Sequence, residues 1–480
     1  MKVLLINAPS KYAAVTTSDW DTTAEDIGAF PPIGLSYVAG YLVKYTNHDI
    51  KILDTLAERL DYDEIEKRII EYKPDIVGMT AFTPSFYDVL MVARLVKKNF
   101  PNCYVCVGGT QHVKMYLKET LHHPEIDFAV RGEGEIIFAN LLNAIQNRIP
   151  LSDVEGISFK KDGNVVNIGP EGYIKNINEL PSPAFDLLPL DKYKSAISTG
   201  KTVGTIASSR GCPYACTYCD RPYRTYRSYS NEKILSEMEY FYNNGVKEFV
   251  FFDDMFNLKP KRVIEISDAI IERFPDIVWS FRGRADQVTE EMLKKAKEAG
   301  CRQIMFGIEA AKDEDLKAIK KKITTKQFVD SISLCKKLGI ETSTNWIIGL
   351  PMHRRRQDIL DLLDFAIKSG CDYAQFNILI PYAGTEIFEE GVKRKILPSD
   401  FWKNYLFNPT PNAYIPIWNE HMSREELSEL LKICYRKFYL RPSNVIKNVL
   451  RVRSFSQFKT KFRGMLTVMG FGGFKREKAA

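Results

Sequence analysis

The chain has 480 residues, of which 45% are hydrophobic and 26% charged, and its formal net charge is +7. These proportions exclude a disordered or fibrous chain, and the length exceeds what a single hydrophobic core supports, so we expect two or three globular domains. The sequence contains no run of about 18 uncharged apolar residues, so it predicts no membrane-spanning helix.

Residues 1–148 alternate short apolar runs with helical patterns. The apolar runs are Val3–Ile6, Ile50–Leu53, Ile76–Met79, Tyr104–Val107 and Phe128–Val130, and helices such as Tyr62–Tyr72 and Tyr87–Lys98 lie between them. This alternation predicts an α/β domain with a parallel, doubly wound, Rossmann-like sheet. Ligands of such sheets bind at the carboxyl ends of the strands.

The middle of the chain contains a predicted linker and a second set of alternating elements. Within residues 149–198, Ile157–Val166 predicts a hairpin with Asp162–Gly163 at its turn, and Leu180–Ala184 favours an extended linker. In residues 199–395, apolar runs again alternate with helices. The strand candidates are Val203–Ala207, Glu248–Phe252, Val278–Arg282, Gln303–Ile308, Glu341–Ile348 and Ala374–Leu379.

Three cysteines, Cys212, Cys216 and Cys219, lie in one short run with the spacing C-x3-C-x2-C. Three thiolates on one loop can ligate three irons of a [4Fe–4S] cluster and leave the fourth iron open to a small molecule. A structural zinc site normally has four ligands, and no fourth Cys or His lies near this run. A disulfide framework is disfavoured because the clustered cysteines are odd in number. The spacing therefore predicts that these cysteines are metal ligands.

The cysteine run, with the aromatic Tyr218 before its last cysteine, resembles the signature of the radical S-adenosylmethionine (radical SAM) enzymes. In that family the open iron binds SAM, and electron transfer cleaves SAM to a 5′-deoxyadenosyl radical. The resemblance implies a partial (β/α)6 barrel in residues 199–395, with the cysteine loop directly after its first strand. It also implies SAM-binding roles for Tyr218, Asp253, Asp254, Arg284, Glu309 and Gly349. A helix cap or a simple turn is the alternative role for the acids and for Gly349.

Residues 1–148 resemble the cobalamin-binding domain found before many radical SAM domains. The matching phrases are Phe30–Leu35, Pro74–Thr80, Val107–Gly109 and Gly132–Glu135. The resemblance implies cobalamin contacts at Thr80, Thr83, Gly108, Gly109, Gly132 and Glu133. The Asp-x-His-x-x-Gly phrase of cobalamin-dependent mutases does not occur here, so we expect no His ligand below the cobalt. A degenerate fold that serves only as a scaffold is the alternative.

Residues 396–480 predict a mostly helical, basic region. A capping-box pattern at Ser423–Glu426 begins one helix. Residues 436–480 contain twelve Lys or Arg against one acid, Glu477, and apolar residues are interleaved from Asn444 onward. This pattern is typical of a helix on an anionic membrane surface, and packing against the barrel or contact with nucleic acid are the alternatives.

The sequence favours a cytoplasmic protein, because its nine cysteines form no paired framework and its start has no signal-peptide pattern. Peripheral membrane contact through the basic C-terminal region is an option.

The two resemblances imply a cobalamin-dependent radical SAM C-methyltransferase, which methylates an unactivated carbon through a 5′-deoxyadenosyl radical and methylcobalamin. A radical SAM oxidative cyclase, similar to the anaerobic magnesium-protoporphyrin monomethyl ester cyclase, is the first alternative, and a non-catalytic cluster or cobalamin carrier is the second. The implied cofactors are a [4Fe–4S] cluster, SAM and cobalamin. No side chain is assigned a catalytic role.

The partners follow from the same resemblance. A radical SAM enzyme needs a low-potential electron donor such as ferredoxin or flavodoxin, and a small-molecule substrate. The basic, apolar C-terminal region favours a hydrophobic substrate, such as a tetrapyrrole, an isoprenoid or a lipid. No nucleic-acid partner is expected, because no RNA-binding module is recognisable in the sequence.

Overall fold

A computed structural model of the chain describes residues 1–16, 29–194, 202–221 and 223–450. The chain divides into two compact units. The first comprises residues 1–15, 29–193 and 399–414, and the second comprises the described parts of residues 194–398 and 415–450. The first unit thus includes the predicted hairpin at 157–166 and a short piece of the predicted C-terminal region. The basic residues from 451 to 480 lie outside the described part of the chain.

The first unit is built on a seven-stranded sheet with the order β2-β1-β3-β4-β5-β6-β7. β1 to β5 are parallel, and the β6–β7 hairpin is added antiparallel beside β5. The parallel part confirms the predicted doubly wound α/β sheet. The strands are β1 (Lys2–Asn7), β2 (Asp49–Asp54), β3 (Ile76–Thr80), β4 (Tyr104–Gly108), β5 (Phe128–Val130), β6 (Ile157–Lys161) and β7 (Asn164–Asn167). The helices are Ile33–Tyr45, Thr55–Glu58, Tyr62–Tyr72, Phe86–Asn99, Thr110–His122, Gly134–Asn147 and Phe401–Phe407.

Local sequence explains where these elements begin and which face they bury. Val3–Ile6 of β1 are all buried, as expected for a parallel strand covered by helices on both faces. The helix Tyr62–Tyr72 begins at a capping box, in which Asp61 and Glu64 each accept a hydrogen bond from the other's backbone N–H. An N-cap of this kind stabilises a helix by about 1 kcal/mol.

The second unit contains a six-stranded, all-parallel sheet with the order β15-β14-β13-β12-β11-β8. Sequential parallel strands connected by helices confirm the predicted partial (β/α)6 barrel. The strands are β8 (Val203–Ile206), β11 (Glu248–Phe251), β12 (Val278–Gly283), β13 (Cys301–Glu309), β14 (Glu341–Ile348) and β15 (Tyr373–Ile378), with β9 (Ser209–Arg210) and β10 (Arg227–Ser228) as a separate pair. The helices are Asn231–Asn243, Pro260–Arg273, Glu290–Glu298, Asp313–Ala318, Thr325–Lys337, Arg356–Lys368, Glu386–Lys393, Arg424–Tyr439 and Pro442–Leu450.

The helix Arg424–Tyr439 covers the edge strand β15. Tyr435 exchanges hydrogen bonds with the backbone of Phe376, and Tyr439 does the same with Ala374, at 2.8–3.3 Å. Two side-chain hydroxyls thereby satisfy backbone groups that an open sheet edge would expose. The helix begins at the predicted capping box of Ser423 and Glu426. None of the helices in the described ranges is long and apolar enough to span a bilayer.

Candidate functional site

The loop that carries the three cysteines is closed at its base by a small antiparallel ladder. It leaves the sheet after β8, and β9 pairs with β10 through Ser209–Ser228 and Arg210–Arg227. Gly211 has φ +84°, and a Cβ at this position would lie 2.4 Å from the carbonyl oxygen of Thr225. Glycine is therefore required where the loop turns back on itself.

The three thiols are accessible and close enough to influence one another. Cys212 and Cys216 are half-buried, and Cys219 is exposed. Although Cys219 is open to solvent on one side, desolvation by the protein atoms around its thiol, and then the neighbouring Cys216, raise the pKa of that thiol to about 11, whereas the cations Arg221 and Lys321 oppose the rise. Iron binding would deprotonate the thiols, because the thiolate is the ligand.

The donor set fits a cluster better than a mononuclear site. Among the described residues, no three His, Cys, Asp or Glu side chains converge as ligands of one metal ion. A cubane does not require such convergence, because each cysteine binds a different iron. Cys212, Cys216 and Cys219 would thus be the residues that hold the [4Fe–4S] cluster, each on a different iron.

A buried lysine that no sequence motif indicates lies beside the loop. Lys321 is 7% exposed, and its Nζ donates to the Tyr218 hydroxyl at 3.1 Å and to Glu309 Oε1 at 3.2 Å. The flanking Lys320 and Lys322 have φ of +53° and +54°, so the backbone turns left-handed on both sides of Lys321. A run of three lysines ordinarily indicates a solvated surface, and only this backbone geometry directs the middle one inward.

Glu309 is held in a strained position at the end of β13. Its φ is +75°, and the register with β14 skips at this point, where Gly307 pairs with Asn345 and Glu309 pairs with Trp346. A non-glycine residue in this region costs about 1–3 kcal/mol, and such strain is concentrated at functional sites. A Cβ on Gly307 would lie 2.5 Å from Glu309 Oε1, so this glycine makes room for the carboxylate.

The adjacent acids Asp253 and Asp254 have different environments. Asp253 is buried, and its carboxylate accepts hydrogen bonds from the Ser208 backbone N–H at 3.2 Å, from the Ser208 hydroxyl at 2.9 Å and from the Ser209 hydroxyl. Burial raises the pKa of Asp253 to about 6 against these hydrogen bonds. Asp254 is open to solvent on one side, and its carboxylate accepts the Gly211 backbone N–H; desolvation by the surrounding protein raises its pKa, against this hydrogen bond and the charge of Arg282. Both acids therefore contact the cysteine loop, and Asp254 is the one that also reaches solvent.

Arg284 is committed to contacts within the protein. Its guanidinium donates to both carboxylate oxygens of Asp286 at 2.8 and 3.1 Å and to the Lys321 carbonyl at 2.7 Å. It also lies 3.8 Å from the centre of the Tyr214 ring on the cysteine loop. Arg284 thus connects the cysteine loop to the segment that carries Lys321. Its predicted contact with SAM stays a prediction.

Gly349 follows β14 with φ +74°, a conformation that favours glycine. A Cβ there would meet Leu427 of the helix Arg424–Tyr439 at 3.0 Å. The turn and the close helix explain this glycine structurally. A SAM contact at Gly349 also stays a prediction.

In the first unit, the loops after β3 and β4 contact each other at the carboxyl edge of the sheet. The Ala81 N–H donates to the Gly108 carbonyl at 2.8 Å. Gly109 has φ +115°, and a Cβ on it would lie 2.3 Å from the Ala81 carbonyl oxygen. A Cβ on Gly108, in contrast, would meet nothing within 4 Å. Gly109 therefore closes the two loops together, and Gly108, beside Thr80 in the register, presents an open backbone surface that a large ligand can approach.

Three other residues of this predicted cobalamin edge make structural contacts. Thr83 Oγ1 lies 3.1 Å from His112 Nδ1. Gly132 forms a bridge with Gly172, and the buried Glu133 accepts the Ile174 backbone N–H at 2.7 Å. These contacts fasten the loop ends and do not exclude a ligand on their outer side. The predicted cobalamin contacts stay predictions.

His112 is the histidine nearest to these loops in the chain, and both its nitrogens are hydrogen-bonded. Nδ1 lies next to Thr83, Nε2 lies 2.9 Å from Thr120 Oγ1, and the ring stacks on Phe86 at 5.0 Å. Burial lowers the pKa of His112 to about 3. The imidazole is thus neutral, and both its nitrogens are engaged within the protein. The absence of a His ligand below the cobalt stays a prediction.

Two family models match this chain, one in each half. The B12 binding domain family model matches residues 22–142, and the Radical SAM superfamily model matches residues 206–366. A Pyrococcus horikoshii protein described as an uncharacterized methyltransferase is 37% identical over 473 residues, which cover 98% of each chain. The chain belongs to the cobalamin-binding radical SAM enzymes. Its cofactors are accordingly a [4Fe–4S] cluster, SAM and cobalamin.

Two further proteins match at lower identity. The anaerobic magnesium-protoporphyrin IX monomethyl ester cyclase of Rubrivivax gelatinosus is 29% identical, over 87% of this chain and 75% of the cyclase. The radical SAM methyltransferase TsrM of Kitasatospora setae, solved with cobalamin and a [4Fe–4S] cluster bound, superposes with a TM-score of 0.65 at 18% identity, covering 82% of this chain and 78% of TsrM. At that identity the structural match supports the fold.

The two neighbouring acids of this cobalamin-binding radical SAM enzyme can be separated by amide substitutions. We expect Asp253→Asn to reduce the iron and sulfide content after reconstitution and to lower the melting temperature, because unsatisfied buried donors cost about 1–3 kcal/mol. Asp254→Asn is the matched comparison. Its carboxylate accepts the Gly211 backbone N–H, so we expect a smaller loss of cluster and melting temperature than in Asp253→Asn, together with weaker SAM binding. Equal loss of cluster in both variants would contradict the distinction.

The open backbone at Gly108 gives a prediction for cobalamin. The Cβ of a valine at position 108 would meet no protein atom within 4 Å, but the side chain would occupy the surface that we assign to the corrin ring. We expect Gly108→Val to weaken cobalamin binding about tenfold or more, since overpacking costs about 1–3 kcal/mol. Visible absorbance of bound cobalamin after gel filtration measures this effect. The iron content serves as the internal control, and retained cobalamin would refute the assignment of this edge.

Proposed function

We propose that this cobalamin-dependent radical SAM enzyme transfers a methyl group to an unactivated carbon of a small molecule. The observation that carries the proposal is the closed three-cysteine loop after β8, next to the buried Tyr218–Lys321–Glu309 cluster, in a chain that also has a cobalamin-binding unit. The Pyrococcus horikoshii relative, which is described as a methyltransferase and matches nearly end to end, supports methylation.

The residues of the second unit have separable tasks in this proposal. Cys212, Cys216 and Cys219 would hold the cluster, and the ladder at the base of the loop fixes their spacing. When bound, the cluster supplies the electron that cleaves SAM, and cobalamin carries the methyl group. Lys321 holds Tyr218 and Glu309 in place through hydrogen bonds of 3.1 and 3.2 Å.

Burial raises the pKa of Tyr218 well above its ordinary value, and the nearby Glu309 adds to the rise. The phenol is therefore a neutral, fixed side chain at neutral pH, and its proton does not leave. Asp254, whose carboxylate also accepts the Gly211 backbone N–H, is the acid that we assign to an ammonium group of a ligand, because a carboxylate stabilises a bound cation.

A ring cyclase without methyl transfer is the second candidate. The Rubrivivax gelatinosus cyclase matches over 87% of this chain, and this match supports cyclisation as the alternative reaction. The two reactions differ in their products. Methylation by two SAM molecules gives 5′-deoxyadenosine and S-adenosylhomocysteine together, whereas a cyclase gives only 5′-deoxyadenosine.

The test measures both products by mass spectrometry, under anaerobic conditions, on protein loaded with cluster and cobalamin, with SAM and a low-potential reductant. We expect both products in comparable amounts when a substrate-containing extract is added. Deoxyadenosine without S-adenosylhomocysteine would support the cyclase and refute methylation. Neither product from protein with an intact cluster would refute both reactions.

The surroundings of the enzyme belong to the same proposal. A low-potential donor such as ferredoxin or flavodoxin would deliver the electron, and an anaerobic cytoplasm would protect an accessible cluster. Membrane contact and a hydrophobic substrate were expected from the basic C-terminal region, of which residues 451–480 lie outside the described part of the chain. The described inner surface of the barrel gives an independent indication of substrate chemistry.

A further inference from the structure

The two faces of the second sheet differ in chemistry. On β14, Trp346 packs against Phe328 and Phe365, with ring centres 5.7 and 5.9 Å apart, on the helices that cover the outside. On β15, Phe376 packs against Tyr435 of the covering helix at 5.7 Å. Because side chains alternate along a strand, the neighbours of Trp346 and Phe376 point to the opposite, inner face.

The inner face carries hydrogen-bonding side chains that have no protein partner. On four neighbouring strands, polar residues occupy several of the inward positions, and Arg282, Met305 and Ile347 occupy others. Within the described ranges, six of these polar residues form no side-chain hydrogen bond with the protein. Gln303 of β13 is buried, Ser280 of β12 and Ser343 and Asn345 of β14 are half-buried, and Gln375 and Asn377 of β15 are exposed to solvent.

Gln303, near the amino-terminal end of β13, is the buried member of this set. It is 1% exposed, and neither its Oε1 nor its Nε2 has a hydrogen-bond partner. The buried Thr205 hydroxyl of β8 is also unpartnered. Each unpaired buried polar group costs about 1–3 kcal/mol, so a protein retains such groups where a ligand or water satisfies them.

Three carboxamides cluster nearer the carboxyl end of the sheet. Asn345 pairs in register with Gly307 on one side and with Gln375 on the other, and Asn377 is one level further along β15. Gly307 is the residue that makes room for the Glu309 carboxylate. The carboxamides therefore lie beside the site already described. Each offers donors and an acceptor without charge.

We propose that this inner face binds a neutral hydrogen-bonding part of the substrate, such as an amide, a hydroxylated ring or the edge of a heterocyclic base. The proposal rests on the proposed function, because it assigns the substrate class of that same site. Binding of a polyisoprenoid or hopanoid hydrocarbon would remove water from these carboxamides without replacing its hydrogen bonds, and the lost hydration would weaken binding. The adenosyl group of SAM has the same hydrogen-bonding chemistry, and the test distinguishes these two sources.

The test uses Asn377→Leu and Gln375→Leu in the full-length protein loaded with cluster and cobalamin. Leucine is close to asparagine in size and removes its hydrogen bonds, and Asn243→Leu on the outer helix Asn231–Asn243 is the control. The first measurement is the Kd of SAM by anaerobic equilibrium dialysis. The second is the stimulation of 5′-deoxyadenosine formation by the water-soluble fraction and by the chloroform-extracted fraction of the source organism, with methyl-deuterated SAM as the label.

We expect the water-soluble fraction to stimulate the native protein and the control. Each inner-face variant should lose about tenfold of that stimulation, as for one lost hydrogen bond, with the Kd of SAM unchanged. Stimulation by the chloroform fraction alone would overturn the proposal. A tenfold weaker SAM affinity would assign the carboxamides to SAM, and unaltered variants would show that they hold only water; both outcomes also overturn it.

Failure of the proposed function gives a different result. Stimulated deoxyadenosine without a deuterated methyl product would refute methylation while leaving the substrate class supported. Stimulation by neither fraction, with slow SAM cleavage retained, would count against the substrate class. Absence of SAM cleavage in the native protein would refute the enzyme itself.

Discussion

Replacing Cys216 with Ala is expected to abolish SAM cleavage and to remove most of the bound iron. Two cysteines remaining on one loop cannot hold a cubane that needs three protein ligands. Reconstituted native protein should contain about four irons per chain, and the variant only a small fraction of that. Deoxyadenosine formation should fall below detection, because the electron no longer reaches SAM. Cobalamin should remain bound, since it is assigned to the other unit.

Cys434→Ala is the matched control for this experiment. Cys434 is buried in the helix Arg424–Tyr439, without a second cysteine at metal spacing. Its removal creates a small cavity, which costs stability but no cluster ligand. Loss of iron in both variants would show that folding, and not ligation, explains the result. A Cys216→Ala variant that still cleaves SAM would contradict the assignment of the cysteines.

The sheets could be predicted from the sequence because their signals are local. Buried parallel strands are nearly continuous apolar runs, so Val3–Ile6 and Phe128–Val130 were recognisable, and all six barrel strands lie within two residues of their predicted positions. The cysteine loop is also local, because its three ligands lie within eight residues. Spacing alone identifies such a site.

The rest of the candidate site depends on contacts between distant segments. Lys321 is recognisable only because it reaches Tyr218, 103 residues away. The sequence does not distinguish Asp253 from Asp254. Only the structure shows that the Ser208 and Ser209 hydroxyls, at the start of the cysteine loop, donate hydrogen bonds to Asp253. The sequence does not indicate that the Gln303 amide is unpaired. Side chains alternate between the two faces of a strand, but this pattern does not say which face a ligand contacts.

The second large effect is expected from Lys321→Met. Lys321 and Glu309 are paired with side chains only 9% and 11% exposed. Removing one partner of a buried ion pair leaves an uncompensated charge, which typically costs about 3–5 kcal/mol. We therefore expect a clearly lower melting temperature and a SAM Kd raised about tenfold or more, because Glu309 and Tyr218 lose the group that fixes them.

Lys320→Met is the matched control, since Lys320 is the neighbouring residue and carries the same side chain. Its ion pair with Glu386 is 50% and 57% exposed, and exposed pairs contribute about 0–1 kcal/mol. We expect nearly native stability and SAM affinity. Equal effects of the two substitutions would refute the role of Lys321.

The double variant Lys321→Met/Glu309→Gln separates stability from positioning. A neutral amide at position 309 no longer requires a cation, so the double variant should recover much of the melting temperature lost in Lys321→Met. SAM affinity should stay low, because the carboxylate and its partner are both gone. Recovery of affinity together with stability would mean that Lys321 and Glu309 serve only the fold. Recovery of stability without recovery of affinity would show that both residues contribute to SAM binding. Lys321 would then connect this pair to the cysteine loop through its hydrogen bond to Tyr218.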